Sequence, residues 1–150
     1  FSTLHTNGAI ATVGRLVDMD LDRYLIASCL CAVAAQRLVR KVCVYCAEEY
    51  QPEPHELDSV GLPTDTSAKF RRGVGCERCH ETGIAGREAV FEVLEVTPEI
   101  AKLVSRGAHA DELEATAIRN GFTPFRASAQ RSAMEGRIPL AEVARITADF

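Results

Sequence analysis

Gly73-Val-Gly-Cys76-Glu-Arg-Cys79-His-Glu-Thr-Gly83-Ile-Ala-Gly86-Arg87 is the stretch that decides the reading of this chain, because Cys43-Val-Tyr-Cys46 stands upstream as its counterpart. A C-x-x-C unit turns tightly enough to present two thiolates to one cation. Two such units complete a tetrahedral sulfur shell, the geometry of structural zinc. Cys43, Cys46, Cys76 and Cys79 are therefore the candidate metal ligands. Gly73, Gly75, Gly83 and Gly86 supply positions where backbone N–H groups can approach sulfur and φ can be positive. A zinc ion with four thiolates is formally dianionic, so Arg71, Arg72, Arg78 and Arg87 are expected as favourable cationic neighbours.

Three other uses of these cysteines compete. Two disulfides would suit a secreted domain, but no export signal is visible and the chain is long enough to bury a core without staples. A redox dithiol would use one C-x-x-C unit and leave the other idle. Cys76-Glu-Arg-Cys79-His80 also matches the c-type haem attachment pattern, with His80 as axial ligand; it too leaves Cys43 and Cys46 unexplained.

The remaining pair, Cys29 and Cys31, lies in Ala27-Ser28-Cys29-Leu30-Cys31-Ala32. Read as helix, a two-residue step points the thiols to different faces, so the expectation is two small buried hydrophobes rather than a metal pair.

Outward from the cysteines, Phe1 to His5 reads as the end of a strand, with Thr6-Asn7-Gly8 as a turn. Helical spacing runs from Ala9 to Met19. A second, interior helix is expected from an Asp20 or Asp22 cap to about Ala35, with Leu21, Leu25, Cys29 and Ala32 as its apolar stripe. Gln36 to Val42 alternates as a strand that leads into Cys43. Residues 47–75 read as an insert with a short helix over His55 to Val60, poor in apolar residues and so organised by the metal. Ala89 to Val96 reads as a strand returning to the main sheet. Beyond it, Thr97-Pro98, Asp111, Thr123-Pro124 and Pro139 open four helices that form a small bundle.

Composition narrows the function. The chain has 150 residues, 47% of them apolar, enough for one ordinary domain or two small ones. A net charge of -4 with only 6% aromatic residues and no Trp argues against nucleic acid as a partner. The longest uncharged run, Tyr24 to Gln36, falls short of the roughly 20 apolar residues that span a bilayer. The start at Phe1 rather than Met is the pattern of a piece of a longer protein.

Catalytic motifs are sparse. The lysines Lys41, Lys69 and Lys102 are followed by Val, Phe and Leu, so no G-x-x-x-x-G-K-[ST] loop is available to cradle phosphates. Asp111-Glu112 follows no apolar strand and makes a poor magnesium site. His5 is the one candidate for catalysis. At the carboxyl end of a strand, among Ser2, Thr3, Thr6 and Asn7, it could donate a hydrogen bond to a terminal phosphate oxygen. His55 and His109 read as surface residues without a role.

Ser2-Thr-Leu-His5-Thr-Asn7 resembles the histidine box of the secretion-type ATPases that drive type II secretion and type IV pilus extension. Gln36-Arg-Leu-Val-Arg40 leading into Cys43-x-x-Cys46 is similar to that family's approach to its tetracysteine zinc element. Gly75 to Arg87 followed by Phe91-Glu-Val-Leu94 is similar to the element's second half and the next strand. Glu135-Gly-Arg-Ile-Pro-Leu-Ala-Glu142-Val-Ala-Arg-Ile is similar to the closing helix.

The resemblance implies an α/β fold: the C-terminal part of a RecA-like P-loop ATPase domain, with an inserted tetracysteine zinc lobe and a C-terminal helical bundle. Residues 1–42, with the returning strand 87–96, would end the ATPase core; 43–86 would form the zinc lobe and 97–150 the helical subdomain. The family's motors are cytoplasmic homo-hexamers at the inner-membrane face that push on a polytopic platform protein. His5 would contact the γ-phosphate, structural zinc would be held by the four cysteines, and ATP and Mg2+ would bind only in the longer parent. The zinc lobe favours the secretion or pilus-extension branch, and a stand-alone zinc-ribbon interaction module is the alternative reading. Such a chain alone would not hydrolyse ATP, and no membrane insertion is expected.

Overall fold

Helix α1 (Ala9–Asp18) begins where a carboxylate meets its free amides: Glu92, buried, accepts the Ala9 N–H through Oε2 at 2.9 Å. A negative charge at a helix N-terminus both satisfies a donor and favours the helix dipole. The computed structural model describes residues 1–148 and groups them into two compact units. The first comprises Phe1–Gln36 with Phe91–Pro124, and the second begins at Arg37–Val90 and resumes at Phe125.

In the first unit, α1 and α2 (Arg23–Cys29) pack with α4 (Pro98–Ser105) and α5 (Ala110–Arg119). Asp22 caps α2 by accepting the Tyr24 and Leu25 N–H groups, and Thr97 caps α4 by accepting the Ile100 N–H with Pro98 behind it. These are the side-chain acceptors that helix starts require. Ala9, Val13, Ile26, Leu94, Ile100, Leu103, Val104, Leu113, Ala117 and Phe122 form its apolar core.

Strand β1 (Ala32–Val42) pairs with β4 (Ile84–Glu95) as a two-stranded sheet, and β2 (Ala47–Tyr50) pairs antiparallel with β3 (Phe70–Gly73), Tyr50 opposite Phe70 and Ala47 opposite Gly73. In the second unit α6 (Phe125–Met134) packs on α7 (Leu140–Ala148). Glu142, fully buried, is held by Arg145 and by the Arg40 backbone and guanidinium, with Arg40 Nη2 at 2.6 Å. Burial pushes its carboxyl up, but the Arg145 and Arg40 donors outweigh burial and hold it below the usual carboxylate range. Helix α7 is thereby fastened to β1.

Four expectations are corrected. Phe1 to His5 forms no strand, because no described strand lies alongside to supply the ladder that extended backbone needs. Helix α2 stops at Cys29 instead of Ala35: Leu30 turns extended and Ala32 onward pairs with β4, so strand pairing overrides the helix propensity of an alanine-rich segment. Nor is α2 interior. Tyr24 and Leu25 are 72% and 58% exposed, and Leu21, Cys29 and Ala32 are exposed with them. Finally, the 47–75 insert carries apolar anchors of its own. Leu57, Val60, Leu62 and Phe70 are buried, and Gln130 of α6 donates to the Val60 carbonyl at 2.7 Å. Helix α3 (Pro54–Ser59) starts with reciprocal Glu53–Glu56 capping bonds.

Four C-terminal helices form, α4 behind its Thr97 cap and α5 behind His109, which makes no side-chain cap bond, instead of Asp111. Helices α4 and α5 belong to the first unit, α6 and α7 to the second. The expected 97–150 segment extends past 148, and residues 149 and 150 lie outside the described residues.

Candidate metal centre

β1 delivers Cys43 at its end, and the Cys43 N–H donates to the Gly83 carbonyl at 2.9 Å, joining the first turn to the second. The chain then reverses within four residues, with Cys46 N–H donating to the Cys43 carbonyl, and enters β2. β3 returns it, and a single 3₁₀ turn, Glu77–Cys79, carries the second pair. His80 and Glu81 follow in the left-handed region, with φ of 52° and 61°.

Gly73 and Gly83 explain why the two turns come so close. Their backbones touch so tightly that a Cβ on either would overlap the other's carbonyl. Gly83 also has φ of 71°, a conformation that favours glycine.

The four Sγ atoms lie within 4.8 Å of one another. Cys76–Cys79 is 3.6 Å, Cys46–Cys79 3.8 Å and Cys43–Cys76 3.9 Å. Zinc–sulfur bonds of about 2.3 Å in a tetrahedron set sulfurs about 3.8 Å apart, so the donor set fits this cation in chemistry and in size. It does not fit disulfides, whose sulfurs are about 2 Å apart. All four are free thiols. His80 is exposed, and Cys76 and Cys79 converge on the other pair, an arrangement unlike a haem attachment site.

Backbone donors prepare one sulfur in particular. Cys79 Sγ accepts the Gly83 N–H at 3.2 Å and the Cys76 N–H at 3.3 Å. Burial pushes the Cys79 thiol up, but these amides and the neighbouring Cys76 and Cys46 thiols outweigh burial and bring it down to about 6. Burial pushes Cys46 up to about 12, opposed by the Gly75 N–H and reinforced by the Cys79, Cys43 and Cys76 thiols. Cys79 Sγ is thus the sulfur on which the Gly83 and Cys76 amides converge.

Three of the four arginines expected around the sulfurs, Arg71, Arg72 and Arg78, have other partners. Arg71 pairs with Glu49 at 3.4 Å, Arg72 lies over the Tyr50 ring at 5.1 Å, and Arg78 stacks on Tyr45 at 4.0 Å. The last contact joins the middle residues of the two C-x-x-C turns. Alternating strand positions explain this, because Arg71 and Arg72 are fixed by the β2–β3 register to face residues across the ladder. Sequence spacing missed the Tyr45–Arg78 clasp. The only signal for it was an aromatic in one turn and a cation in the other.

His5 is exposed in the irregular segment before α1, and its neighbour Thr6 bonds Thr12 through hydroxyls 2.7 Å apart. His55 and His109 are exposed as expected. Cys29 and Cys31 are exposed, contrary to the expectation of burial, because the helix that was to bury them ends there. Among the described residues no helix is long and apolar enough to cross a membrane.

Comparison with known proteins is consistent along nearly the whole chain. The family model described as type II/IV secretion system protein matches residues 1–145. The type IV pilus assembly ATPase PilB of Thermus thermophilus is 38% identical over 144 residues, covering 95% of this chain and 16% of that protein. PilB of Myxococcus xanthus is 38% identical over 150 residues, covering 98% of this chain and 26% of the relative. Type II secretion system protein E of Pseudomonas aeruginosa is 34% identical over 146 residues, covering 97% and 29%. The chain thus spans less than a third of the length of these relatives. With its α/β architecture and its four-cysteine centre, this chain belongs to the type II/IV secretion system protein family.

Proposed function

We propose that this chain is the C-terminal part of a secretion or pilus-assembly motor ATPase, in which Cys43, Cys46, Cys76 and Cys79 bind one structural zinc ion. The observation that carries the zinc assignment is the convergence of four sulfurs within 4.8 Å of one another, three of their separations being 3.6 to 3.9 Å, close to the edge of a zinc–thiolate tetrahedron. Zinc would supply a closed four-sulfur knot holding the turns at 43–46 and 76–79 together. It would leave no open position for chemistry.

The family membership supports the rest of the reading. Residues 1–42 and 87–96 would complete a RecA-like core, 43–86 would be the zinc lobe and 97–150 the helical subdomain. The nucleotide, with Mg2+, would bind in the longer parent. That parent would work as a homo-hexamer at the cytoplasmic face of the inner membrane, against a platform protein, extending a pilus or pseudopilus. His5 would reach the γ-phosphate there. Its place on an exposed, irregular segment beside the start of α1 suits a group that meets a ligand carried by other residues.

Two measurements test this together. Metal analysis of the purified protein is expected to find zinc, with the ribbon turns lost on chelation; a zinc-free preparation of unchanged fold would overturn the assignment. In the full-length parent, His5→Ala is expected to lower ATP turnover at least about tenfold while nucleotide affinity changes little, as for removal of a transition-state donor. Unchanged turnover would remove His5 from the reaction. A parent without any ATPase activity would favour the zinc-ribbon interaction module.

A further inference from the structure

Helix α1 takes its cap from another element. Its N-cap residue, Gly8, sits in extended backbone at φ -171° and ψ 172° with no side chain to offer, and its first turn carries no acidic residue. Asp22 and Thr97, by contrast, cap α2 and α4 from their own N-cap positions. For α1 the acceptor comes from β4, 83 residues away, where Glu92 Oε2 takes the Ala9 N–H at 2.9 Å. Glu92 holds a position that strand alternation assigns to an apolar side chain. Val90 and Leu94 are buried on either side of it, Phe91 and Val93 face out, and Glu92 itself is 6% exposed. A carboxylate in such a place is costly unless its oxygens accept hydrogen bonds, which ties it to the amide it meets.

Thr12 adds a second anchor. The Gly8 carbonyl accepts the Thr12 N–H at 3.1 Å and the Thr12 hydroxyl at 2.9 Å, and the Thr12 and Thr6 hydroxyls lie 2.7 Å apart. Gly8, Ala9 and Thr12 are buried, whereas His5 and Asn7 are exposed. The turn over Thr6, Asn7 and Gly8 is thus pinned to α1 and, through Ala9, to β4. His5 stands exposed one residue before it.

We infer that Glu92 is a positioning residue for His5: its carboxylate, fixed on β4, holds the start of α1 and with it the turn that presents His5 to the terminal phosphate of a nucleotide. This rests on the motor reading proposed above. A hydrogen-bond donor stabilises developing charge only where it is held in place, and a misplacement of about 1 Å can cost about a hundredfold in rate. Glu92 touches neither nucleotide nor His5 in this role. It acts through the backbone between Ala9 and His5.

The test compares Glu92→Met, which keeps the length of the side chain without an acceptor, with Glu92→Gln, which keeps an oxygen for the Ala9 N–H. In this chain, exchange of the Ala9 amide followed by NMR is expected to quicken at least about tenfold in Glu92→Met and to change less than about threefold in Glu92→Gln. In the full-length parent, kcat per nucleotide-binding site is expected to fall at least about fivefold in Glu92→Met with KM within about twofold, and Glu92→Gln to stay within about threefold of wild type. Combined with His5→Ala, Glu92→Met is expected to lower turnover less than about twofold further, because the group it positions is gone. Glu92→Asp, which withdraws the oxygen by one methylene, carries the same comparisons if the Met variant does not fold. Unchanged Ala9 exchange, equal losses in the Gln and Met variants, or additive losses with His5→Ala overturn the inference. Turnover that ignores His5→Ala overturns the motor reading of His5 and this inference with it, whereas turnover that depends on His5 but not on the Glu92 oxygen overturns this inference alone.

Discussion

The helical unit and the sulfur lobe achieve order by opposite means. In the helical unit ten apolar residues from four helices, β4 and the α5 exit are buried together. From Gly73 to Gly86 only Cys79 and Gly83 are buried, so this stretch of the lobe has almost no apolar area to remove from water, the buried Leu57, Val60, Leu62 and Phe70 lying in the insert before it. It depends instead on four sulfurs, a glycine–glycine backbone contact and the Arg78–Tyr45 stack. If the four sulfurs hold the proposed cation, the two cysteine turns answer to its binding, whereas the helical unit answers to packing density.

The sharpest way to break this contrast is Cys76→Ser. It is expected to release the zinc and to lower the melting temperature by about 10 °C or more, given the share of folding energy that structural zinc supplies. The first unit's helices are expected to persist in circular dichroism before that transition. Next in size is Ile100→Ala in the helical unit, where the side chain is fully buried. Loss of its packing is expected to cost about 3 kcal/mol by denaturant titration, with zinc content unchanged. If Ile100→Ala also released zinc, the two means of ordering would not be separable.

The smallest effects compare two glycines of the lobe. Both Gly83 and Gly86 have positive φ, but a Cβ at Gly83 would overlap Gly73 whereas one at Gly86 meets nothing. Gly86→Ala is expected to cost about 1 kcal/mol, the strain of a left-handed backbone alone. Gly83→Ala is expected to cost about 2 kcal/mol or more and to weaken zinc retention in competition with a chelator, because its N–H donates to Cys79 Sγ. Equal effects of the two substitutions would show that the close backbone approach contributes nothing to the centre.

Much of the fold was legible where the governing interactions are local. Thr97-Pro98 announced α4, and the C-x-x-C units announced their turns, since caps and tight turns involve residues a few positions apart. The end of α2 was not legible. Ala32 to Ala35 carry strong helix propensity, and only β4, more than fifty residues later, offers the ladder that turns them into strand. The same misreading hid the exposure of Cys29 and Cys31. The partners of Arg71, Arg72 and Arg78 were likewise set by the β2–β3 register and by Tyr45, contacts that their sequence positions beside the ligands do not announce.

By itself the sequence determined that four cysteines in two equal steps can share one cation, and that the final third is helical, because both follow from short-range spacing. The tertiary structure alone decided which sulfur is cradled by amides, how Glu142 is fastened between Arg40 and Arg145, and where the second helix gives way to strand. Each of those depends on residues brought together from distant parts of the chain, and no local pattern encodes such a meeting.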